Sequence, residues 1–265
     1  MNLGKQIRLN RIFAHPTGRL CAVAADHFFT YGFKTLPDGL REIARTLDQV
    51  VAGQPDSVTL QKGVAAACWP KHAGRVPLIL QSTIIRSEDS AVEELADPED
   101  AVRLGADAIA LAAFVRGPTE ARHLRAIADC VRQAERVEMP VIVHIYPRDD
   151  AKISYAAEDV AWAVRCALEC GVDVIKTPYC GNVKAFAEIV AACPRPIVVA
   201  GGPQTNSLRE ALQLLSDVVQ SGGRGAVVGR NVWGFPQVTE IVRAMRLVIH
   251  DEKSPEQAMR EAGLK

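Results

Sequence analysis

The stretch Gly171–Tyr179, G-V-D-V-I-K-T-P-Y, decides the fold. Its β-branched residues Val174 and Ile175 predict a short buried strand, which ends before Pro178 because proline cannot extend a central strand. Lys176 therefore lies at the C-terminal end of this strand. With a side-chain period of two it faces the same side as Val174, which in a closed parallel barrel is the packed interior. A buried ammonium group is costly, so we expect Lys176 to have a chemical role.

Short apolar runs like this one recur along the chain and alternate with segments of helical apolar spacing. The eight predicted strands are Leu20–Asp26, Ser57–Gln61, Val76–Gln81, Ala106–Ala112, Pro140–Tyr146, Val172–Thr177, Pro196–Gly201 and Gly225–Gly229. Alternating strands and helices imply parallel pairing with helical crossovers. Eight such units in 265 residues favour an α/β fold, a single (β/α)8 TIM barrel over residues 1–265, rather than a doubly wound sheet with its glycine-rich fingerprint.

The N-terminal segment Asn2–Asn10 has the spacing of a short amphipathic helix with Leu3, Ile7 and Asn10 on one side. We expect this helix to plug the floor of the barrel. Because the segment contains basic residues but no continuous apolar core, it does not resemble a signal peptide. No apolar run in the chain reaches membrane-spanning length.

Composition narrows the partners of the protein. The formal net charge is zero and the pI is near neutrality, so we expect no nucleic acid and no membrane surface as partner, but a small molecule. The seven cysteines are scattered without a C-x-x-C pair, which predicts neither disulfides nor a zinc site but a reduced, cytoplasmic protein. His15, His72, His123 and His250 have no acidic or cysteine partners at ligand spacing, so we expect no metal, and we also expect no cofactor.

Three reactive side chains follow predicted strands, and in a barrel such strand ends share one mouth. Burial lowers the pKa of a lysine, so Lys176 can attack a carbonyl as the neutral amine, and the resulting iminium accepts electrons when a neighbouring carbon–carbon bond breaks. Tyr146 is suited to carry a proton to and from a substrate hydroxyl, and Asp26 to move protons during iminium formation. The alternative for Lys176 is a buried salt bridge with Asp26.

The last two strands end in glycine turns, a common phosphate-binding arrangement in barrels. The candidate phosphate ligands are the backbones of Gly201, Gly202, Gly229 and Arg230. Ordinary turn glycines are the alternative. Arg148, in the loop after Tyr146, and His27, after Asp26, are candidate substrate ligands, and His144 is either a hydrogen-bonded core histidine or a base.

Six motifs resemble the class I, Schiff-base aldolases of the deoxyribose-phosphate aldolase and archaeal-type fructose-bisphosphate aldolase superfamily, especially the latter branch. They are A-A-D-H (Ala24–His27), L-G-A-D-A-I (Leu104–Ile109), Y-P-R (Tyr146–Arg148), V-I-K-T (Val174–Thr177), A-G-G-P (Ala200–Pro203) and V-G-R-N (Val228–Asn231). By this resemblance Lys176 is the Schiff-base lysine, Tyr146 the acid/base and Asp26 an active-site carboxylate. The resemblance also implies a phosphate cradle at the four residues named above, and a homo-oligomer.

The sequence departs from the family pattern after Asp26-His27, where the family usually has a glycine and this chain has Phe28-Phe29-Thr30-Tyr31. Bulk there reshapes the pocket while leaving the lysine chemistry intact. We therefore expect a metal-independent aldolase acting on a phosphorylated keto-sugar, as fructose-bisphosphate aldolases do. The alternatives on the same scaffold are a transaldolase-like synthase, a coenzyme A-dependent thiolase or acyltransferase acting on a phosphorylated diketone, and a non-catalytic phosphosugar-binding barrel.

Overall fold

The computed structural model describes residues 2–31, 37–86, 89 and 92–264. Eight parallel strands form its centre: β1 Leu20–Ala24, β2 Ser57–Gln61, β3 Leu78–Gln81, β4 Ala108–Val115, β5 Val141–Asp149, β6 Val174–Thr177, β7 Ile197–Ala200 and β8 Gly225–Val228. Each strand pairs with the next along the chain, and β8 pairs with β1, so the sheet closes. The predicted TIM barrel and its eight strands are confirmed, with strand ends shifted by a few residues.

The helices surround the barrel. Their bounds are α1 Leu3–Ile12, α2 Phe28–Tyr31, α3 Asp38–Arg41, α4 Ile43–Ala52, α5 Lys62–Cys68, α6 Pro98–Arg103, α7 Glu120–Arg136, α8 Ala157–Glu169, α9 Val183–Ala191, α10 Leu208–Gln220, α11 Arg230–Trp233, α12 Val238–Ile249 and α13 Pro255–Glu261, with a 3₁₀ turn at Pro70–His72. Two short antiparallel strand pairs follow the C-terminal ends of β3 and β5. Thr83–Ile85 pairs with Val92–Glu94, and the end of β5 pairs with Lys152–Ile153. Within the described ranges, no helix has the length and apolar character needed to span a membrane.

Alternate residues of the strands point into two different apolar regions, one inside the barrel and one between the strands and the helices. Ile175 packs outward into the layer between strands and helices, whereas Val174 belongs to the cluster inside the barrel. Lys176 follows Val174 on the inner face, as the alternation predicts, and is only 3% exposed. Among its described residues, the inner cluster contains the alanines Ala22, Ala24, Ala108 and Ala110.

The floor of the barrel is closed by α1. Ile12 is fully buried and packs with the inner cluster. Ion pairs fix the helix, with Lys5 Nζ 3.0 Å from Asp173 Oδ2 and Arg11 Nη1 3.2 Å from Asp107 Oδ1. The predicted plug is therefore present, but the predicted face is wrong: Leu3 and Ile7 are 74% and 42% exposed, because the helix docks through its C-terminal end and its basic side chains.

Candidate active site

The barrel opens at the C-terminal ends of its strands into a cavity of about 200 Å³. Its charged and ionisable lining consists of Asp26, His27, Arg86, His144, Tyr146, Lys176 and Arg230. Its apolar lining consists of Phe29, Ile84, Ile85, Ala112, Phe114 and Ile153. The three residues that the sequence singles out for catalysis thus share one cavity.

Lys176 enters this cavity from β6. Its register neighbours are His144 on β5 and Val198 on β7, so its side chain is held within the closed sheet. In the part of the chain that the structure describes, no carboxylate lies within 4.0 Å of its Nζ and no hydrogen bond holds it. Burial, reinforced by Arg230 and only partly opposed by Asp26, lowers the pKa of Lys176 to about 8. An appreciable fraction of this lysine is therefore neutral near pH 7.

Asp26 lies two residues beyond the end of β1 and is engaged by its neighbour. Its Oδ1 atom is 2.9 Å from His27 Nδ1. Burial alone would raise the pKa of Asp26, but the neighbouring His27 and then Lys176 outweigh burial and hold that pKa below its ordinary value. The carboxylate is thus ionised beside His27, and the alternative of a Lys176–Asp26 salt bridge is not formed.

His144 and Tyr146 project from β5 on the same face, two residues apart. Burial and then the neighbouring Lys176 lower the pKa of His144 well below its usual value, so this imidazole is neutral. It lines the cavity, which differs from a histidine enclosed in the core. Burial, with Asp26 adding to it, raises the pKa of Tyr146, so its hydroxyl retains a proton that it can donate.

Of the four candidate phosphate ligands, Arg230 lines the cavity and the three glycines do not. Close packing explains two of them: a Cβ on Gly229 would lie 2.7 Å from His27 Cε1, and one on Gly201 would lie 2.6 Å from Val228 Cγ1. Gly202 has a φ of +71°, which favours glycine. Packing and backbone conformation therefore explain the choice of glycine at these positions, and phosphate binding by their backbones stays a prediction.

One side chain that the sequence did not single out ties these two turns together. Asn231 Nδ2 donates hydrogen bonds to the carbonyl oxygens of Gly201, at 2.8 Å, and Pro203, at 3.0 Å. The turn after β8 thereby fixes the turn after β7, and with it the position of Arg230.

Arg148, which the sequence suggests as a substrate ligand, does not line the cavity. Its Nη2 atom donates to Asp89 Oδ2 at 2.8 Å and to Thr119 Oγ1 at 2.6 Å, and its guanidinium lies 5.3 Å from the Phe114 ring centre. The hydrogen bond from Arg148 to Asp89 is the main reason that the pKa of Asp89 is lowered to about 2. The physical reason is that β5 extends to Asp149, beyond the mouth, so Arg148 meets the surrounding loops instead of the substrate space.

Two further residues that line the cavity have no role assigned from the sequence. Gln61 and Gln81 are the last residues of β2 and β3, are paired in register, and both line the cavity. A sequence signal for them exists: each is an amide residue at the C-terminal end of a strand whose other residues are apolar or carry a hydroxyl. Among the described residues no cluster of three or more metal-ligating side chains occurs, and all seven cysteines are free.

A model of DeoC/LacD family aldolases matches residues 20–234. The chain belongs to this aldolase family. The predicted resemblance is thereby confirmed, and the protein is an aldolase-type enzyme of the class that makes or breaks carbon–carbon bonds through a Schiff base on lysine.

Two curated relatives match this aldolase along nearly its whole length. The 2-amino-3,7-dideoxy-D-threo-hept-6-ulosonate synthase of Halobacterium salinarum is 35% identical over 263 residues, 98% of this chain and 97% of the relative. The 2-amino-4,5-dihydroxy-6-oxo-7-(phosphonooxy)heptanoate synthase of Streptomyces griseus is 30% identical over 268 residues, 98% of this chain and 95% of the relative.

Solved structures of an archaeal fructose 1,6-bisphosphate aldolase resemble this aldolase at 27% identity. One has a TM-score of 0.80 and covers 93% of this chain and 99% of its own. Another, with a TM-score of 0.79, covers 92% and 99% and is described with its catalytic lysine covalently bound to the carbinolamine intermediate of the substrate. Both the fold and the lysine-based chemistry of the family are thus represented among its structural neighbours.

Proposed function

We propose that this aldolase binds a ketone donor as an iminium on Lys176 and joins it to an aldehyde that bears an amino acid group, giving a seven-carbon 2-amino keto acid. The donor is a three-carbon ketone unit, taken free or by cleavage of a longer phosphorylated keto-sugar. The observation that carries the proposal is the buried amine of Lys176, free of any carboxylate within 4.0 Å among the described residues, in one cavity with Tyr146 and Asp26.

The products named for the two curated relatives support this choice of aldehyde. Both are seven-carbon acids with an amino group at the second carbon, a ketone at the sixth and hydroxyls at the fourth and fifth. An aldol reaction forms the bond between the carbon next to the ketone and the hydroxyl-bearing carbon beyond it. Breaking that bond in either product leaves the same four-carbon aldehyde, 2-amino-4-oxobutanoate.

The reaction begins at the neutral amine of Lys176, which attacks the ketone carbon and forms a carbinolamine that loses water to give the iminium. Asp26, ionised beside His27, moves the protons that these steps require. Asp26 then takes a proton from the donor carbon, or from the hydroxyl of a longer sugar as its aldehyde leaves, and the iminium becomes an enamine. The iminium withdraws the electrons, so we infer that no metal takes part.

The enamine carbon next attacks the aldehyde carbonyl, and the oxygen that develops negative charge takes a proton from the hydroxyl of Tyr146. Because the pKa of this hydroxyl is raised by burial, it holds its proton until that charge forms. Water then hydrolyses the iminium, releases the product and restores the amine of Lys176. Hydrolysis returns the proton used to form the iminium, and the proton removed when the enamine formed replaces the one that Tyr146 gave.

Charge at the edges of the cavity fits substrates that are anionic at both ends. Arg86 follows β3 and Arg230 follows β8, and both line the cavity. We assign Arg230 to the donor phosphate and Arg86 to the carboxylate of the aldehyde. The homo-oligomer and the cytoplasmic location stay predictions. Sedimentation of the purified protein tests the oligomeric state.

A second candidate is the reaction of the structural neighbours at 27% identity, cleavage of fructose 1,6-bisphosphate. It shares the donor half of the mechanism, since a three-carbon ketone phosphate again becomes the enamine on Lys176. The two candidates differ only in the aldehyde, which is glyceraldehyde 3-phosphate in the second.

The test supplies each aldehyde with a panel of donors, namely dihydroxyacetone phosphate, hydroxyacetone and a phosphorylated ketohexose, and identifies products by mass spectrometry. We expect condensation with 2-amino-4-oxobutanoate, undiminished by EDTA and absent from Lys176→Met. Condensation with glyceraldehyde 3-phosphate alone would select the second candidate. Absence of product from every combination would contradict both, and loss of activity with EDTA would contradict the metal-free mechanism.

A further inference from the structure

We propose that Gln61 and Gln81 together recognise the 2-amino group of the aldehyde and so determine which aldehyde this enzyme accepts. The inference rests on the proposed function and deepens it. It assigns a specificity role to two side chains that the carbon–carbon chemistry itself does not use.

The two amides form a pair on one wall of the cavity. Gln61 ends β2, Gln81 ends β3, and the two residues are direct register partners in the parallel ladder. They are 8% and 2% exposed, so what remains accessible of them faces the cavity that both line. In a ring of eight strands β2 lies opposite β6, so this wall faces Lys176 across the substrate space.

The hydrogen bonds of the pair fix the orientation of each amide. Gln61 Nε2 and Gln81 Nε2 both donate to the backbone oxygen of Thr83, at 3.5 and 3.3 Å. A carbonyl oxygen only accepts, so the amide nitrogens must point toward Thr83 and the amide oxygens away from it. Thr83 itself is anchored to β4, since Ala112 N donates to its Oγ1 at 2.8 Å.

Both amide oxygens are left over. Gln61 Oε1 and Gln81 Oε1 are buried, and neither has a hydrogen-bond partner among the described residues. A buried acceptor without a donor is unfavourable, and a ligand that supplies the donor recovers that cost. Two neighbouring acceptors suit a group with several N–H donors, and an ammonium group has three.

The position of the pair matches the position of the amino group in the proposed reaction. A donor bound to Lys176 occupies the β6 side of the cavity, and the incoming aldehyde must present its carbonyl carbon to it. The remainder of the aldehyde then extends toward the opposite wall, which Gln61 and Gln81 line. Neutral amide oxygens also avoid a second carboxylate close to Lys176, which would raise its pKa and reduce the amount of free amine.

The experiment compares 2-amino-4-oxobutanoate with 4-oxobutanoate, which lacks only the amino group. We expect wild-type kcat/KM to favour the amino aldehyde by about 10-fold or more, the range for one or two well-placed hydrogen bonds. In Gln61→Met, Gln81→Met and the double variant, kcat/KM for the amino aldehyde should fall about 10-fold or more while that for 4-oxobutanoate changes less than about 3-fold. Gln220→Met, on the exposed surface of α10, should behave as wild type.

An equal fall in kcat/KM for both aldehydes would show that the amides only support the fold. Unchanged kcat/KM for both aldehydes would show that water satisfies the amides, and either result overturns the inference. Thermal melting confirms that each single variant is folded before the double variant is measured. Borohydride trapping of the donor without any aldehyde reports Lys176 chemistry separately. If the wild type traps no donor, the proposed function fails, whereas normal trapping with unaltered aldehyde preference overturns only the role of Gln61 and Gln81.

Discussion

A buried ionisable residue lies at each end of strand β6, and only one of the two has an ion-pair partner among the described residues. At the floor, Asp173 accepts from Lys5 at 3.0 Å and from the backbone N–H of Val141 at 2.9 Å. At the mouth, Lys176 has no carboxylate within 4.0 Å in the described part of the chain. A buried charge that serves only the structure is paired, because an unpaired one is costly. The proposed function assigns the chemistry to the unpaired amine at the mouth.

Replacing the unpaired charge should have the largest effect on activity and little on stability. Lys176→Met should lower turnover by at least about 10⁴-fold, as loss of a covalent nucleophile does. Its free energy of unfolding should be unchanged or higher by about 1–3 kcal/mol, since a desolvated cation is removed. Steady-state kinetics and urea unfolding measure the two quantities. Lys184→Met, on the exposed side of α9, is the matched control, and a similar loss there would contradict the assignment.

Removing the proton donor at the mouth should have the next largest effect. Tyr146→Phe deletes a hydroxyl that acts when the carbon–carbon bond forms, so turnover should fall by about 10²–10⁴-fold. Formation of the donor iminium on Lys176 precedes that step and should remain within a few fold of wild type. Borohydride trapping and product assays on the same sample separate the two. A parallel loss of trapped adduct would mean that Tyr146 acts in iminium formation instead.

The paired charge at the floor should show the opposite behaviour. Asp173→Ala leaves Lys5 and the N–H of Val141 without their acceptor, so it should destabilise the fold by about 3 kcal/mol while kcat stays within about 2-fold of wild type. Denaturant titration and kinetics at a temperature where the variant is folded test this. A large loss of kcat without loss of stability would remove the contrast between the two ends.

The pH dependence gives a smaller effect with a defined sign. Since burial lowers the pKa of Lys176 to about 8, adduct formation should rise about tenfold per pH unit below that value and level off above it. The unfolded lysine keeps the ordinary value of 10.5, so between pH 8 and 10.5 the unfolded state binds more protons and stability should rise with pH. Comparison with Lys176→Met isolates both contributions. A midpoint above pH 10 for adduct formation would contradict the buried, unpaired amine.

The strands were predictable because apolar alternation and the prolines and glycines that end each run are local signals. Val174, Ile175 and Pro178 define β6 in this way, and they place Lys176 inside without any knowledge of its neighbours. The docking face of α1 was not predictable from periodicity. Its position is determined by the insertion of Ile12 and by carboxylates that precede strands far along the chain.

The site was partly predictable for the same reason. Lys176, Tyr146 and Asp26 were identified from residue type at strand ends, whereas the partners of a side chain depend on pairing across the sheet. The length of β5 gives Arg148 its partner Asp89, and the register of β2 with β3 brings Gln61 beside Gln81. Neither contact leaves a local pattern in the sequence.

Reductive trapping tests the central claim most directly. The enzyme is incubated with dihydroxyacetone phosphate or another of the donors above, reduced with borohydride, digested and mapped by mass spectrometry. The donor mass should appear on the peptide that contains Lys176, with none on Lys5 or Lys184 and none in Lys176→Met. An adduct on a different lysine, or no adduct with any ketone donor, would contradict the account.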